Sequence, residues 1–344
     1  MKVALAGDTM LGRQVAERLR HVPPTALFAD EVVAATHEAD LFILNLECAI
    51  SDRGARWPDP DKPFFFRAPP VAVEVLSHLG VSCVTLANNH ALDFGIQALL
   101  DTFRHLARAG IAWVGAGVDE AAARNPAILE CAGGRVGVVA VTDHPRDYAA
   151  GADRPGVAYA DLRQGSPTWL LDTISRLATD IVLVTPHWGP NMVVEPVRHV
   201  RAAAGTFRAA GATLVAGHSA HVFHGAANAV LYDLGDFIDD YATDLAMRND
   251  LGLLFLVTFD ESGQPSVIEA VPLALDYCHT RLATVDEAGW ISNRFRGACA
   301  ALGTDVVERA GRLVIDWSQP PAGSDAGQRA LRRWPGRGRR RVQH

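Results

Sequence analysis

Leu41-Phe42-Ile43-Leu44-Asn45-Leu46-Glu47 is an apolar run too short for a typical helix, and it ends on a carboxylate. Short runs rich in Leu, Ile and Val read as strands buried on both faces. The same pattern recurs at Val3–Ala6, Val81–Ala87, Val136–Val141, Ile181–Thr185 and Leu214–Ala216. Amphipathic stretches lie between them: Leu11–Arg20, Val71–Leu79, Ile96–Ala109, Thr168–Ala178 and Val197–Ala210. Gly80, Gly110 and Gly211 fall just past three of these, where helices commonly stop. Strand and helix in alternation predict an α/β fold with buried sheets. After Gly225 the pattern changes. Ala229–Tyr232, Leu251–Phe259 and Val267–Leu275 read as strands that form a second sheet or extend the first. Residues 285–303 read as a helix, and 305–317 as a closing hairpin around Gly311.

The chain has 344 residues, 49% hydrophobic and 21% charged, which is ordinary globular composition. That length buries a large core without disulfide or metal staples. The formal charge is −7, but residues 320–344 hold seven Arg against one Asp. The rest carries 25 basic and 38 acidic residues, or −13, which argues against a general nucleic-acid binder. From Gln319 onward the composition of Pro, Gly, Ser and Arg reads as a flexible, solvated tail. The expected organisation is one domain over 1–318, with 260–318 a candidate C-terminal extension, and the tail 319–344. No secretory signal and no membrane-length apolar run is seen. The five cysteines are odd in number, scattered and without a C-x-x-C pair, so a cytoplasmic location is expected.

Polar residues cluster immediately after the apolar runs. In open α/β sheets that is where ligands bind. Asp8 follows the first strand and reads either as a helix N-cap or as a metal ligand. Glu47 must be ligated, salt-bridged or exposed. In Asn88-Asn89-His90-Ala91-Leu92-Asp93 an amide oxygen can ligate a cation beside an imidazole that moves a proton. Asp93 would orient that imidazole if the segment is helical. His187 alone reads as a core histidine. His218, His221 and His224 are three imidazoles in seven residues and read as ligands.

Several segments together resemble the CapA-type family of poly-γ-glutamate capsule synthesis, within the calcineurin-like metallophosphoesterase fold. They are Gly7-Asp8-Thr9-Met10-Leu11-Gly12-Arg13, Asn45-Leu46-Glu47, Leu86-Ala87-Asn88-Asn89-His90 with Asp93-Phe94-Gly95, Pro186-His187-Trp188-Gly189, His218 to His221, and Leu234-Gly235-Asp236-Phe237. The resemblance covers about residues 1–260. It implies an α/β/β/α sandwich of two packed β-sheets flanked by helices. It also implies Asp8, Glu47, Asn89, His187, His218 and His221 as metal ligands. His90 matches the histidine that serves as proton donor in the phosphoesterase relatives. Three departures stand out: Met10 where dinuclear relatives carry His, Glu47 for a bridging Asp, and a widened His218-Ser219-Ala220-His221. They imply one metal position short of a ligand. Asp236 stands where CapA-type proteins usually carry Asn, and it reads as a base, a ligand or a strand-end acid facing water.

Three functions follow as expectations. One is a divalent-metal-dependent acid/base enzyme that epimerises a Cα centre of a ribosomal precursor peptide, as some CapA-like lasso-peptide epimerases do, with His90, Asp93 and Asp236 as catalytic groups. The second is a metal-dependent phosphoester or amide hydrolase. The third is an accessory role in polyglutamate synthesis. The mixed donors suit Mn, Zn, Fe or Ca. The expected partner is a peptide, with no nucleic acid and no membrane; oligomeric state is not readable.

Overall fold

The computed structural model describes residues 1–318. The Arg-rich stretch 319–344, read above as a tail, lies outside the described residues.

Two sheets pack face to face. The larger runs, from one edge, through Val307–Arg309, Arg312–Asp316, Pro265–Asp276, Leu251–Phe259, Lys2–Thr9, Leu41–Leu46, Cys83–Thr85 and Ala112–Val114. The smaller has six strands, including Gly134–Thr142, Ile181–His187 and Leu214–Ala216 in parallel. Alternation along each strand assigns the layers. Val3, Leu5, Leu41 and Ile43 face Val136, Val138, Ile181 and Leu183 in a core between the sheets. Their neighbours Ala4, Ala6, Phe42 and Leu44 face outward onto the helices Ala72–His78 and Gly95–Arg108. Val139, Val141, Val182 and Val184 face the helices Thr168–Arg176 and Arg198–Ala209 on the other side. The result is the expected α/β/β/α sandwich.

The helices stop where the glycines said they would: Gly80, Gly110 and Gly211 have φ of +72°, +71° and +112°, left-handed values that disfavour other residues. After Gly225 the segments divide between the two sheets. Leu251–Phe259 pairs antiparallel with Lys2–Thr9 and extends the first sheet. Val230–Leu231 joins the second beside Leu214–Ala216. The hairpin around Gly311 forms, and its second strand pairs with Pro265–Asp276. The helix Val285–Ala300 starts with a Thr284/Glu287 capping box and inserts Ile291, Phe295 and Cys299 into the inter-sheet core.

The condition set for Asp93 is not met: residues 88–94 form a bend and turns, as Asn and Asp residues favour, rather than a helix. The Asn88 side chain competes with helix formation: its Oδ1 accepts from the His90 N–H at 3.0 Å, while its Nδ2 ties the turn to the neighbouring strand end through Leu46 O at 2.9 Å.

Candidate metal centre

Strand register assembles the site. Asp8 pairs with Asn45 on one side and with Asp236 on the other. The ladder skips Gly7 between Ala6 and Asp8, which re-aims the Asp8 side chain. Only glycine fits at position 7, because a Cβ there would stand 1.7 Å from Gly235 O. In the second sheet His187 ends its strand and bridges to His218. The two sheets therefore bring their strand ends to one buried place.

Asp8, Glu47, His221 and Asp236 each offer a ligand atom within 4.8 Å of the others. His221 Nδ1 lies 2.9 Å from Asp236 Oδ1, 3.3 Å from Asp8 Oδ2 and 4.0 Å from Glu47 Oε2. On the far side of Asp8, its Oδ1 lies 4.0 Å from His187 Nδ1 and 3.9 Å from His218 Nδ1. The donors left without hydrogen-bond partners are the telling ones. Both Glu47 oxygens, Asn89 Oδ1, both His187 nitrogens, His218 Nδ1 and Asp236 Oδ2 are buried and unpaired. Buried polar atoms are normally satisfied, so this many orphans in one place need an explanation. A divalent cation supplies it: two nitrogen or oxygen ligands of a tetrahedral ion stand about 3.4 Å apart. The mixed carboxylate, amide and imidazole set fits such an ion.

The electrostatics agree. Burial, reinforced by the Asp8 carboxylate, pushes Glu47 well above the ordinary carboxyl range. Burial and the neighbouring Asp239 and Asp8 do the same to Asp236. Burial opposes charge on His221, but Glu47 and Asp8 outweigh it and raise that imidazole. Burial drives His218 down to about 4 and His187 well below its ordinary value, which leaves both neutral and able to ligate.

Beside the cluster, His90 Nε2 lies 4.0 Å from Glu47 Oε1. Its Nδ1 meets Asp93 Oδ2 at 2.6 Å, although the segment is not helical. Asp93 is itself fixed by the Phe66 N–H at 2.6 Å, the Tyr148 hydroxyl at 2.9 Å and Lys62 Nζ at 3.1 Å. The Phe66 ring stacks on His90 at 3.9 Å between centroids. Burial is the main reason His90 falls to about 4, against the pull of Asp93.

Residues 2–241 match the family model described as bacterial capsule synthesis protein PGA_cap. The chain belongs to that family. A probable polyglutamine synthesis accessory protein of Mycobacterium tuberculosis is 34% identical over 80% of this chain and 76% of its own length. The PGA biosynthesis protein CapA of Bacillus subtilis is 27% identical over 70% of this chain and 63% of its own. Among solved structures, a novel phosphatase from Mycoplasma pneumoniae is 13% identical with a TM-score of 0.49, over 80% of this chain and 94% of that one.

Five of the six ligand candidates in this PGA_cap member come together around Asp8: Glu47 and His221 within 4.8 Å, His187 and His218 at about 4 Å. The sixth, Asn89, contributes a buried, unpaired Oδ1 but no distance that ties it to the cluster. Asn88 does not, since its amide is consumed by Asn45, Leu46 and His90. His224 does not either; its ring lies against the Val193 carbonyl, with Nε2 2.8 Å from that oxygen. Met10 is packed in the helix-side core, and its sulfur accepts the Gly12 N–H at 3.1 Å. Asp236, read as base, ligand or solvent-facing acid, is 2% exposed and stands among the donors with Asp8, Glu47 and His221.

Sequence reasoning missed several residues. Asp143 follows the Gly134–Thr142 strand, the same position that flagged Asp8 and Glu47, and it holds His144, His199 Nε2 and the Gly189 N–H. Its partner His144, which the sequence did mark as a candidate lining residue, stands 5.3 Å from the His187 ring. Asp233 braces the histidine loop by accepting from Ala220 and Gly235 N–H at 2.9 Å each. The five cysteines are free, and none lies in the donor cluster. No described helix is long and apolar enough to cross a membrane.

Proposed function

We propose that this protein is a divalent-metal-dependent acid/base enzyme that inverts a Cα centre of a peptide. One observation supports the reading: two proton-moving groups border the donor cluster, His90 with Nε2 4.0 Å from Glu47 Oε1, and Asp236 with its neighbour Asp239. A bound cation would supply positive charge that polarises a peptide carbonyl and acidifies the adjacent Cα–H.

Asp93 accepts the Nδ1–H of His90, which leaves the Nε2 lone pair facing the cluster as the base. Because burial keeps the ring neutral down to about pH 4, the base is ready at neutral pH. Asp239 neighbours Asp236, and burial raises both carboxyls, Asp239 to about 6. Asp239 lies outside the four-residue donor set, so it can carry a proton while Asp236 serves as a donor to the cation. In this reading His90 takes the Cα proton from one face and the carboxyl pair returns one to the other. Solvent exchange then resets both groups. Phe66 and Tyr241 wall the cluster with aromatic surface and exclude water.

Hydrolysis of a phosphoester or amide is the second reading. It is favoured by the same buried donor cluster, where a bound cation would activate a water as nucleophile. The accessory role printed for the mycobacterial relative is a third. Metal-reconstituted protein incubated with candidate precursor peptides in D₂O separates them. Deuterium gained at a peptide Cα without cleavage, with inversion seen by chiral analysis, is the expected result. Release of amine from the peptide, or of phosphate from a panel of phosphoesters assayed in parallel, would establish the hydrolase reading. Tight binding with neither label nor cleavage would establish the accessory one.

A further inference from the structure

Of the 32 basic side chains in the sequence, only Lys2 and Lys62 are lysines. By composition, a position that needs positive charge alone would be expected to carry Arg. Lys2 lies near the surface, against Glu269 and Glu38. Lys62 is placed differently: its side chain is 12% exposed, and the Asp93 side chain it meets is fully buried. An ammonium taken out of water is costly unless its donors are answered.

Those donors have two targets. Nζ donates to the Asn89 carbonyl at 2.7 Å and meets Asp93 Oδ1 at 3.1 Å. The Tyr148 ring at 5.4 Å and the Phe65 ring at 6.0 Å face the charge. The segment that carries Lys62 has no helix or strand, yet it is tied to the 88–94 turns on both sides of the lysine. The Trp57 N–H donates to Asp93 O at 2.8 Å, and the Phe66 N–H donates to Asp93 Oδ2 at 2.6 Å. Backbone contacts therefore deliver the ammonium to its place.

Each target leads into the metal centre. Asn89 Oδ1 is one of the buried, unpaired donors, and pinning its carbonyl fixes the peptide from which that side chain leaves. Asp93 has two partners on each oxygen. Oδ2 meets His90 Nδ1 and the Phe66 N–H, while Oδ1 meets the Tyr148 hydroxyl and Lys62. The ammonium thus answers the carboxylate from the side away from His90. The imidazole is left to donate one Nδ1–H and to keep its Nε2 lone pair. A guanidinium spreads its donors in a flat, fixed fork, whereas an ammonium sends N–H bonds to a carbonyl and a carboxylate from one point.

We infer that Lys62 is a positioning residue that sets the amide donor and the base of this centre together. One ammonium holds the Asn89 carbonyl and the Asp93 carboxylate. It thereby fixes where Asn89 presents its oxygen and which ring nitrogen of His90 carries the hydrogen. This rests on the reading of Asn89 as ligand and His90 as base, and it names the residue that holds both.

The test uses the full chain loaded with Zn²⁺ and labelled with ¹⁵N in its histidines. Long-range ¹H–¹⁵N correlation reads the His90 tautomer, and His90→Gln locates its signals. The parent should show one tautomer, with the hydrogen on Nδ1. In Lys62→Ala the His90 signals should move toward a mixture of tautomers, and Zn²⁺ affinity by calorimetric titration should fall about tenfold or more. Ethylammonium added to Lys62→Ala should restore both readouts, and ethanol at the same concentration should restore neither. A folded Lys62→Ala with the parent tautomer and parent affinity overturns the inference. Equal rescue by ethanol also overturns it, because filled space would then suffice. If Lys62→Ala does not fold, Lys62→Arg decides: loss of the parent tautomer and affinity supports the point-donor role, and parent values in both overturn it. Neither readout needs turnover, so a failed deuterium assay leaves this result standing, and parent-like variants leave the proton chemistry standing.

Discussion

Asp8 and Asp236 face each other across a parallel ladder, and both present an oxygen to Nδ1 of His221, at 3.3 and 2.9 Å. Two buried carboxyls this close repel unless a cation or a proton sits between them. Asp236 is thereby a donor candidate beside Asp8. Asp236→Asn keeps the shape and removes the charge. It should weaken binding of a divalent cation at least about tenfold, by calorimetric titration. The same change should raise the melting temperature of the chelator-treated protein, because it removes a repulsion. Equal cation affinity in variant and parent would show that Asp236 is not a ligand.

Asp93 never touches the donor cluster, yet it fixes His90 through a 2.6 Å contact. In Asp93→Asn the amide nitrogen can present a donor to Nδ1, which turns the N–H of the ring toward the cluster and removes the base. Proton exchange at carbon should fall by about 10²–10⁴ while bound metal, read by elemental analysis, stays at the parent level. His90→Gln should match it, and the double variant should be no worse than either single one. A multiplicative loss in the double variant would mean that the two residues act separately.

Gly7→Ala tests the origin of the site geometry. The added methyl carbon would stand 1.7 Å from Gly235 O, against backbone that cannot rotate away. Either the Asp8–Asp236 pairing or the fold must give. A loss of at least about 3 kcal/mol in chemical denaturation is expected. A folded variant that also keeps its cation affinity would contradict the register account.

Much of this was legible because parity along strands is a local property. Val3, Ala4, Leu5 and Ala6 show only that the strand is buried on both sides, and the same holds for Leu41–Leu46. The strands Ala112–Val114 and Ala127–Cys131 escaped notice. The first is three residues long, and the second alternates buried and exposed positions beside a turn. The ligand candidates were visible because each lies at or shortly past the end of an apolar run. Phe66, Tyr241 and Lys62 were not, since loops place them and no periodicity marks a loop position. Asp143 is the avoidable omission: it stands at a strand end like the others.

His224 offers a test of pH dependence away from the donor cluster. Its imidazole is buried, and burial is the chief reason its pKa falls from 6.5 to about 4. In the unfolded chain the ring binds a proton below about pH 6.5, while the folded protein refuses one until about pH 4. The unfolded state therefore gains protons first as the pH drops. The contribution of His224 to stability is complete above pH 6.5 and is lost toward pH 4, at no more than about 1.4 kcal/mol per pH unit. His224→Gln cannot titrate and should lose that part of the slope. His90 and His218 shift the same way but remain in both proteins, so their effects cancel in the difference. Urea unfolding of both proteins at about pH 4.5 and about pH 7.5 measures it. The parent should lose more stability than the variant between the two conditions. Parallel losses would mean that His224 is protonated as easily folded as unfolded, and that its ring is not sealed from water.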